Sequence, residues 1–196
     1  MTRLAETAGI EVPESRLLTL GGVHRTFAAR RFDRSGPARH LYASAMTMTG
    51  KRDGDDASYL DLTRALEDHA ATRSLHADLH QLFRRAAFNV LASNRDDHLR
   101  NHGFLRAKEG WRLALAFDLN PASGKLEHGL SFDGTLRIPD VDLVEESAKF
   151  YRLTAREARA VVDEVKTAIG SWHSIATGID LSRDEIDLLA PSFQVS

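Results

Sequence analysis

The chain has 196 residues, of which 42% are apolar and 28% charged, and its 26 basic side chains against 28 acidic ones give a formal charge of −2. This composition is typical of one soluble domain and lacks the positive excess of tight nucleic-acid binders. The absence of cysteine excludes thiol catalysis, disulfides and cysteine-ligated metals. No apolar run is long enough to span a membrane or direct export, so we expect a cytoplasmic protein that contacts neither membrane nor nucleic acid directly.

The beginning of the chain predicts a short helix followed by a small β-hairpin. Residues Met1–Ala8 favour a helix, with Gly9 at the C-cap position and Pro13 preventing continuation. Two strand-like runs follow, Arg16–Leu20 and Val23–Phe32, and the two glycines between them accept the positive φ of a tight turn.

The remainder is predicted to be mostly helical, with a second hairpin in its middle. Apolar spacing and N-capping residues mark the helices, whereas β-type residues beside a glycine turn mark the strands. In chain order we predict a polar loop at Thr49–Ala57, helices at Tyr59–Ala70 and Leu75–Leu91, strands at Gly103–Arg106 and Trp111–Phe117, a helix from a Thr154–Glu157 capping box to Trp172, and a short terminal helix after Ser182 and Glu185. Because the strands and helices do not alternate regularly, this order predicts an α+β, mostly α fold.

The polar stretch Ser93–Gly103, directly after the longest predicted helix, carries acids, imidazoles and amides. A polar loop held between a rigid helix and a hairpin is a common place for function. Asp118 is a second candidate, because it closes the apolar run Leu113–Phe117 and a carboxylate at the end of a buried strand needs a partner.

Asp96, Asn101 and Asp118 together suggest the division of labour that phosphoryl transfer requires. Asn101 and Asp118 offer hard oxygen ligands suited to Mg²⁺. Asp96 precedes Asn101 by five residues, the spacing of the catalytic aspartate in the kinase pattern D-x-x-x-x-N. Spacing alone leaves simpler roles open, a capping acid for Asp96 and a turn residue for Asn101.

The segments Asn94–Leu105 and Leu115–Pro121 resemble the HipA-type serine/threonine kinases of bacterial toxin–antitoxin systems. Further matches extend the resemblance to nearly the whole chain: Gly9–Ser15, Arg31–Arg34, Ser58-Tyr59 and Trp172. The resemblance implies a protein-kinase-like C-terminal lobe. Residues 1–34 would form a helix and hairpin reaching the hinge, and residues 58–196 the helical lobe.

The resemblance also implies roles for individual residues. Asp96 would be the catalytic base, and Asn101 and Asp118 the magnesium ligands. The remaining positions carried over are the hinge segment beside adenine, Arg30, Arg31 and Phe32, and the loop-shaping residues Asn94 and His98. One departure is Arg95, which stands where the family usually has a small or polar residue.

The implied activity is transfer of the γ-phosphoryl of Mg²⁺·ATP to a protein serine or threonine. Family precedent suggests an enzyme of the tRNA-charging machinery as substrate and a DNA-binding antitoxin as partner. The family's Gly-rich loop and phosphate-binding lysine should precede the first helix, and no G-x-x-x-x-G-K-[ST] pattern replaces them. We therefore expect the chain alone to be a weak or inactive kinase unless a separate chain supplies that lobe.

Two functions from other classes remain open at this point. The chain could be a non-catalytic module that binds a partner kinase or antitoxin. It could also be a metal-dependent hydrolase using Asp96, His98, His102 and Asp118. The spacing of His76 and His80 is favoured as a solvated helix face over a metal pair.

Overall fold

The computed structural model describes residues 1–21 and 24–193. In this part of the chain the α-helices are α1 Thr2–Thr7, α2 Ala45–Thr49, α3 Tyr59–His69, α4 Thr72–Leu91, α5 Val141–Glu146, α6 Ala155–Gly170, α7 Trp172–Gly178 and α8 Arg183–Leu189. The strands are β1 Ser15–Leu18, β2 Thr26–Ala29, β3 Arg34–Ser35, β4 Ala38–Arg39, β5 Tyr42–Ser44, β6 Gly103–Arg106 and β7 Trp111–Leu113. The fold is α+β and mostly helical, as predicted.

The strands form three small antiparallel sheets, β1-β2, β3-β4 and β5-β6-β7. The first predicted hairpin is confirmed with shorter strands, and Leu17 lies opposite Phe27. Gly21 takes the expected positive φ, 99°, whereas Gly22 and Val23 lie outside the described residues. The prediction that the second strand reaches Phe32 is wrong, because strand pairing ends at Ala29.

Helix α4 is the centre of the molecule, and it contacts α3, α5, α6 and β7. Its inward face is fully buried through Leu79, Leu82, Phe83 and Phe88. The helix begins at Thr72, before the predicted Leu75, because its polar first turn lacks the apolar spacing by which a helix start is recognised.

The capping box predicted at Thr154 is present, and α3 and α8 also begin with capping boxes. Ser58, Thr154 and Ser182 each accept a hydrogen bond from the backbone N–H three residues later, and the acidic side chain there accepts one from the backbone N–H of the cap residue. The helix predicted to run through Trp172 is in fact two helices. It stops at Gly170, where the Ser171 hydroxyl donates to the Ala168 carbonyl at 2.6 Å.

Several elements were missed because they are too short to show periodicity. Strand β5 exists through its pairing with β6, and α2 follows it directly. Thr49, predicted as loop, is the last residue of α2, and the loop begins at Gly50 with a left-handed φ of 68°. Helix α5 was also not predicted. None of the described helices combines the length and apolar character needed to cross a bilayer.

Candidate active site

The polar segment Ser93–Gly103 leaves the end of α4 and turns through a short 3-10 helix at Leu99–Asn101 before entering β6. Two hydrogen bonds close this turn. The Asn101 N–H donates to the His98 carbonyl at 2.8 Å, and the His98 N–H donates to Asn101 Oδ1 at 3.0 Å. Both bonds use the backbone of His98, so this residue and Asn101 are joined at the two ends of the turn.

Asp118 lies at the end of an extended run whose backbone is hydrogen-bonded to a side chain of α4. Strand β7 ends at Leu113, so the predicted strand to Phe117 is too long. Beyond it, Arg85 of α4 donates to the Ala114 carbonyl at 2.6 Å, and the Ala116 N–H donates to the Glu11 carbonyl at 2.8 Å. Asp118 itself has a φ of 57° and is exposed. Its carboxylate therefore does not lie in the core, contrary to the expectation from a buried strand.

Asn101 and Asp118 meet directly. Asn101 Nδ2 donates to Asp118 Oδ2 at 2.5 Å, and Asn120 Nδ2 donates to the other carboxylate oxygen at 3.0 Å. The contact joins a carboxylate and an amide from separate segments, and these are oxygen donors that Mg²⁺ prefers. The donor set therefore fits Mg²⁺, although the Asn101 amide now turns its nitrogen toward the carboxylate.

Asp96 is exposed and forms an ion pair with Lys125 Nζ, from the segment that follows Asp118. The hydrogen bond from Lys125, with the charges of Lys125, His98 and Arg100, lowers the pKa of Asp96 below its ordinary value. Asp96 is therefore a carboxylate at neutral pH, presented to solvent beside the turn that carries Asn101.

The acid that sequence analysis missed is Asp97, which is only 2% exposed. Its carboxylate accepts the Tyr59 hydroxyl at 2.5 Å and pairs with His102 Nε2 at 3.0 Å. Asn89 Nδ2 donates to the Tyr59 oxygen at 2.8 Å, and Asn94 Nδ2 donates to Asn89 Oδ1 at 3.0 Å. This chain of hydrogen bonds ties the polar segment to α3 and α4. Asn94, expected from the resemblance to shape the loop, is bonded to α4 in this chain.

Burial opposes ionisation of Asp97, but the charge and hydrogen bond of His102 and the Tyr59 hydroxyl outweigh it and lower the pKa of this carboxyl. Asp97 is thus an ionised anchor beneath the loop. The signal that could have revealed it is the acid doublet followed five residues later by an imidazole.

The residues of the hydrolase alternative do not converge. His102 is buried against Asp97, not beside Asp96 and Asp118. Within residues 1–21 and 24–193, no three His, Asp or Glu side chains are grouped as a metal site requires. His76 is exposed on α4, and its ring lies 4.1 Å from that of the partly buried His80.

The predicted hinge segment lines a cleft of about 320 Å³. Phe32 supplies an aromatic wall, with its ring 5.8 Å from that of Phe117, the residue before Asp118. The neighbouring arginine side chains point to carboxylates. Arg31 forms two hydrogen bonds to Asp33, at 2.8 and 2.6 Å, and Arg30 lies 3.4 Å from Glu14. Only Phe32 of the three hinge residues therefore contributes its side chain to the aromatic wall.

The family of the chain is shown by its similarity to known proteins. A family model described as the HipA-like C-terminal domain matches residues 1–172. The chain belongs to the HipA-like C-terminal domain family. The resemblance predicted from the sequence is confirmed. No curated protein matches the chain significantly.

Two solved structures share the fold of this HipA-like domain. HipA of the Shewanella oneidensis MR-1 toxin–antitoxin system, solved with HipB and its operator DNA, matches 97% of this chain with a TM-score of 0.79 and 17% identity. The proinflammatory kinase CtkA of Helicobacter pylori matches 92% of it with a TM-score of 0.55 and 15% identity. The chain covers 51% of the HipA chain and 86% of the CtkA chain. The kinase-like α+β fold is thereby confirmed.

Proposed function

We propose that this HipA-like domain is the C-terminal lobe of a protein serine/threonine kinase, which transfers the γ-phosphoryl of Mg²⁺·ATP to a protein hydroxyl. The observation that carries the proposal is the direct contact between the Asn101 amide and the Asp118 carboxylate. Asp96 lies in the same short loop as Asn101 and presents an ionised, exposed carboxylate. These are the residue types that phosphoryl transfer uses, in the order in which kinases carry them.

Asp118 and Asn101 would hold Mg²⁺, which neutralises phosphate charge when bound. For Asn101 this requires its amide to present oxygen, so its present bond to Asp118 must be exchanged. Asp96 accepts a hydrogen bond from the substrate hydroxyl and takes its proton as the new O–P bond forms and ADP leaves. Because the pKa of Asp96 is lowered, we expect it to act mainly by orienting the hydroxyl.

The cleft lined by Phe32 and Phe117 is the proposed adenine site, with the backbone of residues 30–32 as its hinge. Nothing in the 196-residue sequence has the pattern of a phosphate-binding P-loop. We therefore expect weak transfer by this chain alone, rising when a lobe with a Gly-rich loop and lysine is supplied. We also propose that the chain is divided into a leading part, residues 1–34, which reaches the hinge, and a helical lobe, residues 58–196.

For partners, we propose a protein substrate, with an enzyme of tRNA charging as the first candidate, and an antitoxin. HipA of Shewanella oneidensis, which has this fold, was solved together with HipB and operator DNA. That complex supports the proposal of an antitoxin partner for this chain. In such an assembly the antitoxin would contact DNA, since this chain has no excess of positive charge. A cytoplasmic location follows from that assignment.

The test is calorimetric titration of the purified chain with ATP, with and without Mg²⁺. We expect binding that strengthens with Mg²⁺ and a loss of that strengthening, on the order of tenfold or more, in Asp118→Asn, because the ligand charge is removed. Asp180→Asn is the matched control, since Asp180 also has a left-handed φ, 54°, and an exposed side chain. Absence of Mg²⁺-dependent binding in the wild type would favour the non-catalytic partner-binding module.

A further inference from the structure

The Asp96–Lys125 ion pair is an exposed contact, with 57% and 54% of the two side chains accessible to solvent. Pairs this exposed contribute little to folding stability. The pair joins the proposed catalytic carboxylate to a segment that begins at the proposed metal ligand Asp118. Because the pair adds little to stability, we ask what the Lys125 ammonium does beside Asp96.

Lys125 is held in place by the loop that carries Asp96. Arg95 Nη1 donates to the Lys125 carbonyl and, at 3.4 Å, to the Ser123 carbonyl. Two backbone bonds fasten the same segment. The Ala122 N–H donates to the Ser93 carbonyl at 2.7 Å, and the Gly129 N–H donates to the Arg95 carbonyl at 3.1 Å. The ammonium of Lys125 thus reaches Asp96 from a backbone that is tied down on both sides.

The other basic groups of the loop have other partners. Arg95 uses its guanidinium on the backbone of residues 123 and 125. Arg100 pairs with Asp53 on the far side of the turn. His98 keeps Nδ1 buried, and its Nε2 lies 3.4 Å from Arg100. Lys125 is therefore the cation that this part of the structure directs at Asp96.

We propose that Lys125 is a further catalytic residue, which donates a hydrogen bond to the transferred γ-phosphoryl while it remains bonded to Asp96; this rests on the proposed kinase function. An ammonium has three N–H donors, so one can stay on the carboxylate while another meets a phosphoryl oxygen. Positive groups placed where phosphoryl charge is carried are a large source of catalysis. Lys125 keeps its proton throughout, and the proton of the substrate hydroxyl goes to Asp96.

The same contact admits an opposite role, in which Lys125 covers Asp96 and must leave before substrate enters. The two roles predict opposite effects of removing the ammonium. If Lys125 contacts the γ-phosphoryl, Mg²⁺·ATP binding weakens when it is lost. If it only covers the carboxylate, ATP binding is unchanged or stronger.

The experiment compares Mg²⁺·ATP and Mg²⁺·ADP affinities of the full chain and of Lys125→Met by calorimetry. Loss of one charged hydrogen bond predicts on the order of tenfold weaker ATP binding, with ADP binding within about twofold because ADP has no γ-phosphoryl. Lys108→Met, an exposed lysine in the β6–β7 turn, is the control and should change neither affinity. Arg95→Ala should give a smaller loss confined to ATP, since Lys125 is then less firmly held.

Each other outcome overturns the assignment. Equal ATP affinity in Lys125→Met and wild type would show that Lys125 does not contact the γ-phosphoryl. Tighter ATP binding in Lys125→Met would show that Lys125 covers Asp96. Equal losses for ATP and ADP point to a general charge effect. In all three cases wild-type Mg²⁺·ATP binding still stands, and the proposed function with it, whereas a wild type that binds neither nucleotide contradicts both proposals. Thermal unfolding of Lys125→Met should match the wild type, because the ion pair is exposed.

Discussion

Two tyrosines are fully buried in the core, yet their hydroxyl groups differ. The Tyr59 hydroxyl lies between Asn89 and Asp97, at 2.8 and 2.5 Å. The Tyr151 hydroxyl has no hydrogen-bond partner among the described residues. Both rings are 0% exposed, so the pair separates the effect of the hydrogen bonds from the effect of the ring.

We expect Tyr59→Phe to lower the free energy of unfolding by about 1–3 kcal/mol, since it leaves two buried polar groups without their partner. Tyr151→Phe should change it by less than about 0.5 kcal/mol or raise it. Urea denaturation of both variants measures the difference. Similar values for the two variants would mean that the Asp97 network does not stabilise the loop.

At the scale of the element, the segment after Asp118 packs closely against the polar loop that carries Asp96 at one glycine, Gly129. A Cβ at Gly129 would overlap the carbonyl oxygen of Asp97 and lie 3.2 Å from its carbonyl carbon. A Cβ at Gly124, five residues earlier in the same segment, would meet nothing within 4 Å. The close approach of the two backbones therefore depends on the absence of a side chain at Gly129.

Gly129→Ala should push this segment away from the loop and weaken Mg²⁺·ATP binding several-fold, with a stability cost of about 1–3 kcal/mol from overpacking. Gly124→Ala is the control and should leave both quantities near the wild-type values. Calorimetric titration and thermal unfolding measure the two effects. Wild-type behaviour of Gly129→Ala would show that the segments can separate without consequence.

The elements that sequence could predict are those with a repeating signal. The apolar spacing of α4 and the capping box at Thr154 were sufficient to place the two longest helices. Strand β5 and helix α2 are too short to show a periodic pattern in the sequence. Strand β5 depends on its pairing with β6.

The candidate site divides in the same way. Spacing and family resemblance were enough to select Asn101 and Asp118, which the fold brings into contact. Asp97 escaped notice because its role depends on Tyr59, which is 38 residues away in the sequence. Lys125 escaped because its position is fixed by backbone contacts with Arg95, for which the sequence carries no local sign.

At the scale of the whole molecule, the protonation of His128 makes the free energy of unfolding depend on pH. Its side chain is buried, and burial lowers its pKa to about 4, although the charge of Asp97 opposes this. An unfolded histidine titrates near 6.5. As pH falls from 6.5 to 4, the unfolded chain binds a proton that the folded chain does not, so the free energy of unfolding falls.

His128→Gln should reduce the loss of stability between pH 6.5 and pH 4 by up to about 3 kcal/mol. His40→Gln, at an exposed position, should leave the loss unchanged. Denaturant unfolding at several pH values gives both slopes. Parallel curves for His128→Gln and the wild type would assign acid sensitivity to other groups.

Helix α4 reaches both halves of the site. Its Asn89 accepts a hydrogen bond from Asn94 of the polar loop, and its Arg85 donates to the Ala114 carbonyl in the run before Asp118. The segments that carry the two candidate ligands, Asn101 and Asp118, are therefore both bonded to the same helix, which limits movement of one segment relative to the other. Loading the site with a metal ion would therefore require only rotation of the Asn101 side-chain amide, which exchanges its bond to Asp118 for an oxygen turned to the ion. The backbone of both segments is already fastened, so little ordering should remain to be done when the ion arrives.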